Sequence, residues 1–385
     1  MEMSKIAKNY PASGIRKMFD LAAQYKDVID LTCGDPNFDT PENVREAAKK
    51  AIDDGFTHYA PNAGIPELRE AVAARYKGYD PDQVIITVGA LEGLTLGLLA
   101  VVDPDDEVIV PNPSFANYQG QIMLAHGKPA GVDVYEENDY RIRPEDIEKA
   151  VTPKTKAIII NSPSNPLGSV LTEEDCRRIG EIAEKHDLYI FSDEPYDKIL
   201  FDHTEFFSMS EIESIRDRLF SLNSFSKTYA MTGWRIGYML YPTQFQSVLP
   251  HMQEGIVSCV STFIQKAAVE ALTGPQDCIR QMSEDYCRRR DILQNGLNSI
   301  PGFSCRPVKG SFYIFVNIKA FGKTSQEFAE ELVRGARVVT VPGSAFGSMG
   351  EGYLRLVFAN SDQNLEEAVR RIREYIAGNY PDLKA

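Results

Sequence analysis

SLNSFSKTYAMTGWRIGY, residues 221–238, is the stretch from which both the architecture and the chemistry can be read. It opens on the end of a short apolar run, 219–222, that reads as a buried strand. Small hydroxyl residues follow, then Lys227, then Gly233, Trp234 and Arg235. Ser224, Ser226 and Thr228 surround the lysine, with Phe225 and Tyr229 close by. Partial removal from water favours the neutral amine and turns such a lysine into a nucleophile. Arg235, eight residues on, offers a planar fork of donors able to grip a phosphate. An amine nucleophile beside an anion clamp implies a covalently held phosphorylated aldehyde. Each residue alone has a plainer explanation, because most lysines are solvated charges and an arginine beside a tryptophan is often a stacked surface pair.

A chain of 385 residues, 43% hydrophobic and 25% charged, has the composition of a soluble protein with one or two globular units. Its 41 basic and 55 acidic residues leave a net charge of −14, which argues against nonspecific binding to nucleic acid or anionic membrane. An anionic ligand must therefore be held by local positive groups. The six cysteines are scattered without a CxxC, and the five histidines lack metal-ligand spacing. Reduced thiols are expected, with neither a disulfide framework nor a metal site. The start, MEMSKIAKNYPASGIRK, has no apolar signal core, and no long uncharged span follows. A cytoplasmic location is the expectation.

From Gln83 onward the hydrophobic period changes. Short β-branched or apolar runs occur at 84–88, 107–110, 131–134, 157–160, 188–191 and 219–222, several of them separated by helical patterns such as 173–186. Buried strands alternating with helices predict an α/β fold with a mainly parallel, helix-covered sheet. Ligands of such sheets bind at the carboxyl ends of the strands. After Gln276 the pattern shifts to a long charged helix that includes 282–297. Further strands are expected at 312–318, 338–341 and 353–358, and helices at 14–25, 42–53, 325–334 and 364–376.

The full pattern S-x-S-K-x-x-x-x-x-G-x-R-x-G, Ser224 to Gly237, closely resembles the lysine segment of the fold-type I aminotransferases, class I/II, that use pyridoxal 5'-phosphate. GDPNFDTP from Gly34 is similar to that family's G-x-P-x-F-x-T-P segment. Tyr59, Gly64, Leu68 and Arg69 fit Y-x-x-x-x-G-x-x-x-L-R, NPLG from Asn165 fits N-P-x-G, and SDEPY and YLRLVFA carry Asp193, Tyr196 and Arg355 at matching places. The motifs run in family order from Gly34 to Arg355. The likeness is strongest to the branch holding aromatic and aspartate aminotransferases.

The resemblance implies a seven-stranded large-domain sheet and a smaller α+β domain built from both chain ends. The expected division is 1–45 for an amino-terminal arm and part of the small domain, 46–281 for the large cofactor domain, and 282–385 for the rest of the small domain. Lys227 is expected to carry the cofactor as an aldimine and to act as the acid–base group. Asp193 pairs with the pyridine nitrogen, while Tyr196 and Asn165 donate to the ring oxygen. Phe115 stacks on the ring. Backbone N–H groups of Ala90 and Leu91, with Ser224 and Arg235, hold the phosphate. Tyr59 reaches the partner subunit's phosphate across a homodimer interface. Gly34, Asn165 and Arg355 bind the substrate, the arginine through its α-carboxylate. Several of these residues have ordinary alternatives: Gly89, Gly93 and Gly97 suit close helix packing, Asn165 suits a plain turn, and Arg355 suits a structural ion pair.

The expected reaction moves an amino group from an L-amino acid to a 2-oxo acid such as 2-oxoglutarate. A C–S β-lyase or aminocyclopropane carboxylate synthase would share these motifs, and a ligand sensor would share the fold. A nicotinamide-dependent dehydrogenase lacks its GxGxxG here. Some relatives hold a distal carboxylate with an arginine from the segment that corresponds to QEGIVSCVST, 253–262, which has none. A pocket edged by Ile15, Phe38 and Phe115 is expected to favour aromatic or large neutral side chains, with Arg16 as a substitute cation.

Overall fold

The computed structural model describes residues 2–11 and 14–383; the side chains of Ile15 and Arg16 lie outside what it describes. Near the amino end is β1 (Ile29–Asp30). Next come β2 (Val84–Thr87), β3 (Glu107–Asn112), β4 (Lys128–Asp133), β5 (Thr155–Asn161), β6 (Tyr189–Asp193), β7 (Leu219–Ser224) and β8 (Gly237–Leu240). The last seven form one sheet in the order β2-β8-β7-β6-β5-β3-β4. β8 alone runs against its neighbours; the other pairs are parallel. The mainly parallel α/β architecture read from the sequence is the one adopted. β8 was not among the apolar runs singled out, because four residues beginning with glycine show no period of their own. It is nevertheless fully buried between two strands.

Helices cover this sheet at close range. Gly93 and Gly97 of the helix Gly89–Val101 face it where an added Cβ would stand 3.0 Å from Leu222 and 2.6 Å from Phe191. That contact lets Phe191 and Phe220 stack at 4.8 Å, both fully buried. Each buried phenylalanine contributes roughly 1.5–3 kcal/mol relative to exposure, so a larger residue at Gly97 would lift the helix off its own core.

The carboxyl-terminal part holds β9 (Ser304–Cys305), β10 (Tyr313–Asn317), β11 (Val338–Val339), β12 (Val341–Pro342) and β13 (Tyr353–Val357). A four-stranded antiparallel sheet runs β12-β13-β10-β9, while β11 pairs in parallel with β1. The run 338–341, expected as one strand, thus changes partner at Thr340, which is buried. The helix expected at 325–334 is α-helical over Ser325–Glu331 and then widens into a π turn, Leu332–Ala336. The long charged helix spans Asp277–Asn298. Met18, Ala22, Ile29 and Leu31 share one core with Leu293, Phe328, Leu365 and Ile372, so both chain ends build the smaller α+β part. Among the described residues no helix is long and apolar enough to cross a membrane.

Candidate active site

The carboxyl ends of the parallel strands open onto a cavity of about 320 Å³. β7 runs out at Ser224, whose Oγ accepts from the Ser226 N–H at 3.1 Å and caps the short helix Phe225–Thr228. That turn presents Lys227 to the cavity, where Nζ donates to the Gly34 carbonyl at 2.5 Å. Burial lowers the ammonium pKa to about 8; Asp35 and Cys33 oppose the shift, and Arg235 and Arg355 reinforce it. The odd surroundings of Lys227 noted in the sequence are a desolvated site. Ser226 also lines the cavity. It went unassigned although the S-x-S spacing pointed to it.

An anion-binding corner lies beside the lysine. β2 turns at Gly89, whose φ of +71° is costly for any residue with a Cβ. The helix Gly89–Val101 then starts, leaving its first N–H groups, those of Ala90 and Leu91 among them, outside the helical ladder and at the positive end of its dipole. A Cβ at Gly89 would stand 2.5 Å from Arg235 Nη2. Arg235 itself has a left-handed backbone, φ +54°, a conformation costing on the order of 1–3 kcal/mol and concentrated at functional sites. Its Nη1 donates to the Thr232 carbonyl at 3.0 Å. Of the glycines spaced by four, Gly89 therefore serves the turn, and Gly93 and Gly97 serve helix packing.

Asp193 ends β6 and is buried. Its Oδ2 accepts from the Tyr118 hydroxyl at 2.6 Å, whereas Oδ1 has no partner. Burial raises the carboxyl pKa to about 6, and the Tyr118 bond partly offsets that. Nothing near Tyr118 in the sequence marks it for this contact. Phe115 lines the cavity and meets Tyr118 edge-on at 5.5 Å. Asn165, held through its N–H to Asn161 Oδ1 at 2.7 Å, and Tyr196 line the same space.

Arg355 enters from the smaller sheet. It sits within β13 opposite Phe315 and is 3% exposed. Nη2 donates to the Thr32 carbonyl at 2.5 Å and Nη1 to Asn165 Oδ1 at 3.2 Å, while Nε is unpaired. The guanidinium packs against the rings of Tyr313 and Phe346, 4.8 Å from each centroid. No carboxylate holds it, so the ordinary ion-pair explanation does not apply among the described residues. Thr32 and Gly34 belong to a segment hydrogen-bonded to both β11 and β13, through the Leu31 N–H to the Val339 carbonyl and the Val357 N–H to the Leu31 carbonyl. Cys33 between them is exposed and lines the cavity, not packed away.

The residues expected to bind the cofactor, Tyr59 apart, and the substrate residues Gly34, Asn165 and Arg355 all line this cavity. Tyr59 is 90% exposed and outside its lining. Phe38 packs edge-on against Tyr286 at 5.3 Å, under the guanidinium of Arg289, and Phe19 stands at the cavity wall in its place. Ile15 and Arg16, expected at the edge, fall on side chains outside the described set.

The family model "Aminotransferase class I and II" matches residues 26–372. The chain is 44% identical to aromatic-amino-acid aminotransferase 2 of Thermococcus litoralis, covering 94% of this chain and 95% of that one. It is 43% identical to an aspartate aminotransferase of Pyrococcus abyssi over the same shares. Among solved structures, aspartate aminotransferase from Thermus thermophilus with maleate superposes with a TM-score of 0.92 at 34% identity, over 97% of this chain and 100% of that one. A lysine, an acid and two arginines gathered at the carboxyl edge of such a sheet now have their family: the chain is a member of the class I and II aminotransferases, transaminases that work with pyridoxal phosphate.

Proposed function

We propose that this cavity holds pyridoxal phosphate through Lys227 and carries out transamination with the residues named above. The observation that carries the reading is one cavity lined by a desolvated lysine and by two side chains that each keep one buried polar atom without a partner, Asp193 Oδ1 and Arg355 Nε. The group fits what is present. Free helix N–H groups, Ser224, Ser226 and Arg235 match a phosphate, and the unpaired Asp193 oxygen matches a protonated ring nitrogen. Bound pyridoxal phosphate supplies an aldehyde that condenses with amines and a ring that accepts the electron pair left when a proton departs.

The chain's own residues do the rest. A cation beside Asp193 lowers its pKa again and keeps the carboxylate ionised. Arg355 grips the substrate α-carboxylate through Nε and the Nη groups, oriented by Asn165 and by its two rings. Lys227 Nζ takes the proton from the substrate Cα and, as an ammonium, delivers it within the same turnover. Tyr59, exposed on its own subunit, supports a homodimer in which it completes the partner's phosphate site. Borohydride reduction of the cofactor-loaded protein followed by peptide mapping tests the reading. The label is expected on Lys227; a label on another lysine, or none, overturns it.

Aromatic or large neutral amino donors are the preferred class. Among the described residues the cations lining the cavity are Lys227, Arg235 and Arg355, all with other tasks, and Phe19, Leu91 and Phe115 supply apolar wall. A distal carboxylate is costly there without its own partner. The Thermococcus relative is named for aromatic amino acids and the Pyrococcus relative for aspartate, so steady-state kcat/KM for phenylalanine, tyrosine and aspartate decides between them; a lead for aspartate overturns the preference.

A further inference from the structure

We propose that Tyr313 is a positioning residue that acts on both halves of the site at once, its hydroxyl making Tyr196 a hydrogen-bond donor into the cavity and its ring holding Arg355 in place. The inference rests on the function proposed above. Tyr313 opens β10 and is 2% exposed; its hydroxyl lies 2.9 Å from that of Tyr196, itself 4% exposed. Two phenol protons are present and the bond between the oxygens uses one. If Tyr196 gives its proton to the cofactor's ring oxygen, as the function proposed above has it, none is left for Tyr313, and the bond between the two hydroxyls must be donated by Tyr313. If Tyr313 donates, its proton is satisfied and that of Tyr196 is free to point into the cavity. Both phenol protons then have an acceptor, as buried hydroxyls normally do. The donated bond also polarises Tyr196 and strengthens it as a donor.

The ring of Tyr313 does separate work. It is one of two rings packed against the Arg355 guanidinium, Phe346 being the other, each centroid 4.8 Å from Cζ. Such cation–π packing restricts how the guanidinium can turn towards a carboxylate. The hydroxyl lies against Gly34, whose carbonyl accepts from Lys227. Glycine there is a steric demand of Tyr313.

Two substitutions separate hydroxyl from ring. Tyr313→Phe keeps the ring and removes the donor. The anionic ring oxygen that Tyr196 serves then becomes more basic, and the pH midpoint of the cofactor's visible absorption should rise by about half to one unit. KM for the 2-oxo acid should stay within about twofold of wild type, because the carboxylate grip is untouched. Tyr313→Leu removes the ring as well and should raise that KM by about tenfold or more. Thermal melts of both variants beside wild type identify a folding defect, and Tyr313→Phe, which fills the same space, keeps the test decisive if the leucine variant is unstable. An unchanged midpoint in Tyr313→Phe overturns the hydroxyl role. A KM in Tyr313→Phe as high as in Tyr313→Leu overturns the division between hydroxyl and ring. Failure of the underlying function looks different, since wild type itself would then show no cofactor band to titrate.

Discussion

The two sheets contribute to the cavity in opposite ways. The seven-stranded sheet contributes nothing from its strand interiors; Gly89, Phe115, Asn165, Tyr196 and Lys227 all lie beyond strand ends, and Asp193 is the last residue of β6. The four-stranded sheet contributes from within through Arg355, in the middle of β13, supported by Tyr313 at the start of the neighbouring β10. Strand ends are free to turn, so a ring of loops can be shaped around a large flat ligand. A strand interior is fixed by hydrogen bonds on both sides, so a guanidinium placed there has one direction in which to reach. The first arrangement suits a resident group with many contacts. The second suits a transient carboxylate that must be met at a set angle.

That contrast can be broken by experiment. The largest effect expected is a pH profile at a strand end. Reductive capture of a small aldehyde by Lys227 in the cofactor-free protein requires neutral amine, and a pKa lowered to about 8 makes the neutral form appear far below the usual lysine range. The rate, read by mass spectrometry of the Lys227 peptide, should climb about fiftyfold from pH 6 to 8, gain about a further factor of two by pH 9 and level off above. A continued climb to pH 10 would show a lysine like those on the surface.

Arg355→Leu probes the strand interior. Losing a charge-assisted grip costs about 1.5–3 kcal/mol, so KM for both amino acid and 2-oxo acid should rise about ten- to hundredfold. Cofactor affinity, measured by equilibrium dialysis, should hold. A parallel loss of cofactor would erase the distinction between the two sheets.

Tyr118→Phe is the smallest and most discriminating change. Asp193 loses the one side-chain donor it has among the described residues, so its pKa should move further up from about 6. The ionised fraction then falls near neutral pH, and cofactor affinity should drop about three- to tenfold at pH 6.5 while recovering towards wild type above pH 8. A loss independent of pH would mean that Tyr118 only fills space.

The same contrast explains what the sequence could tell. Residues just after apolar runs stood out because the runs themselves mark where ligands bind, and Arg355 stood out as one charge in an apolar strand. Tyr118 and Tyr313 are two of 18 tyrosines, and their partners lie 75 and 117 positions away; no local pattern records such contacts. The break at Thr340 has the same origin, since partners on either side of it come from distant parts of the chain. Phe38 was drawn towards the site by its motif, but a neighbouring tyrosine and arginine hold its ring elsewhere.

The segment through Leu31, Thr32 and Gly34 has a consequence of its own. Its carbonyls hold Arg355 and Lys227, one residue from each sheet. Each cation thus waits on a neutral placeholder, already immobilised, and the side-chain ordering that binding usually demands, about 0.5–1.5 kcal/mol per long side chain, was met when the chain folded. An arriving carboxylate exchanges one oxygen for another. Because the two placeholders sit in peptide units 32–33 and 34–35, separated by a single peptide, a shift of this short segment loosens the two cations together. The readiness of the amine and the grip on the acid are geared to the same few bonds of backbone.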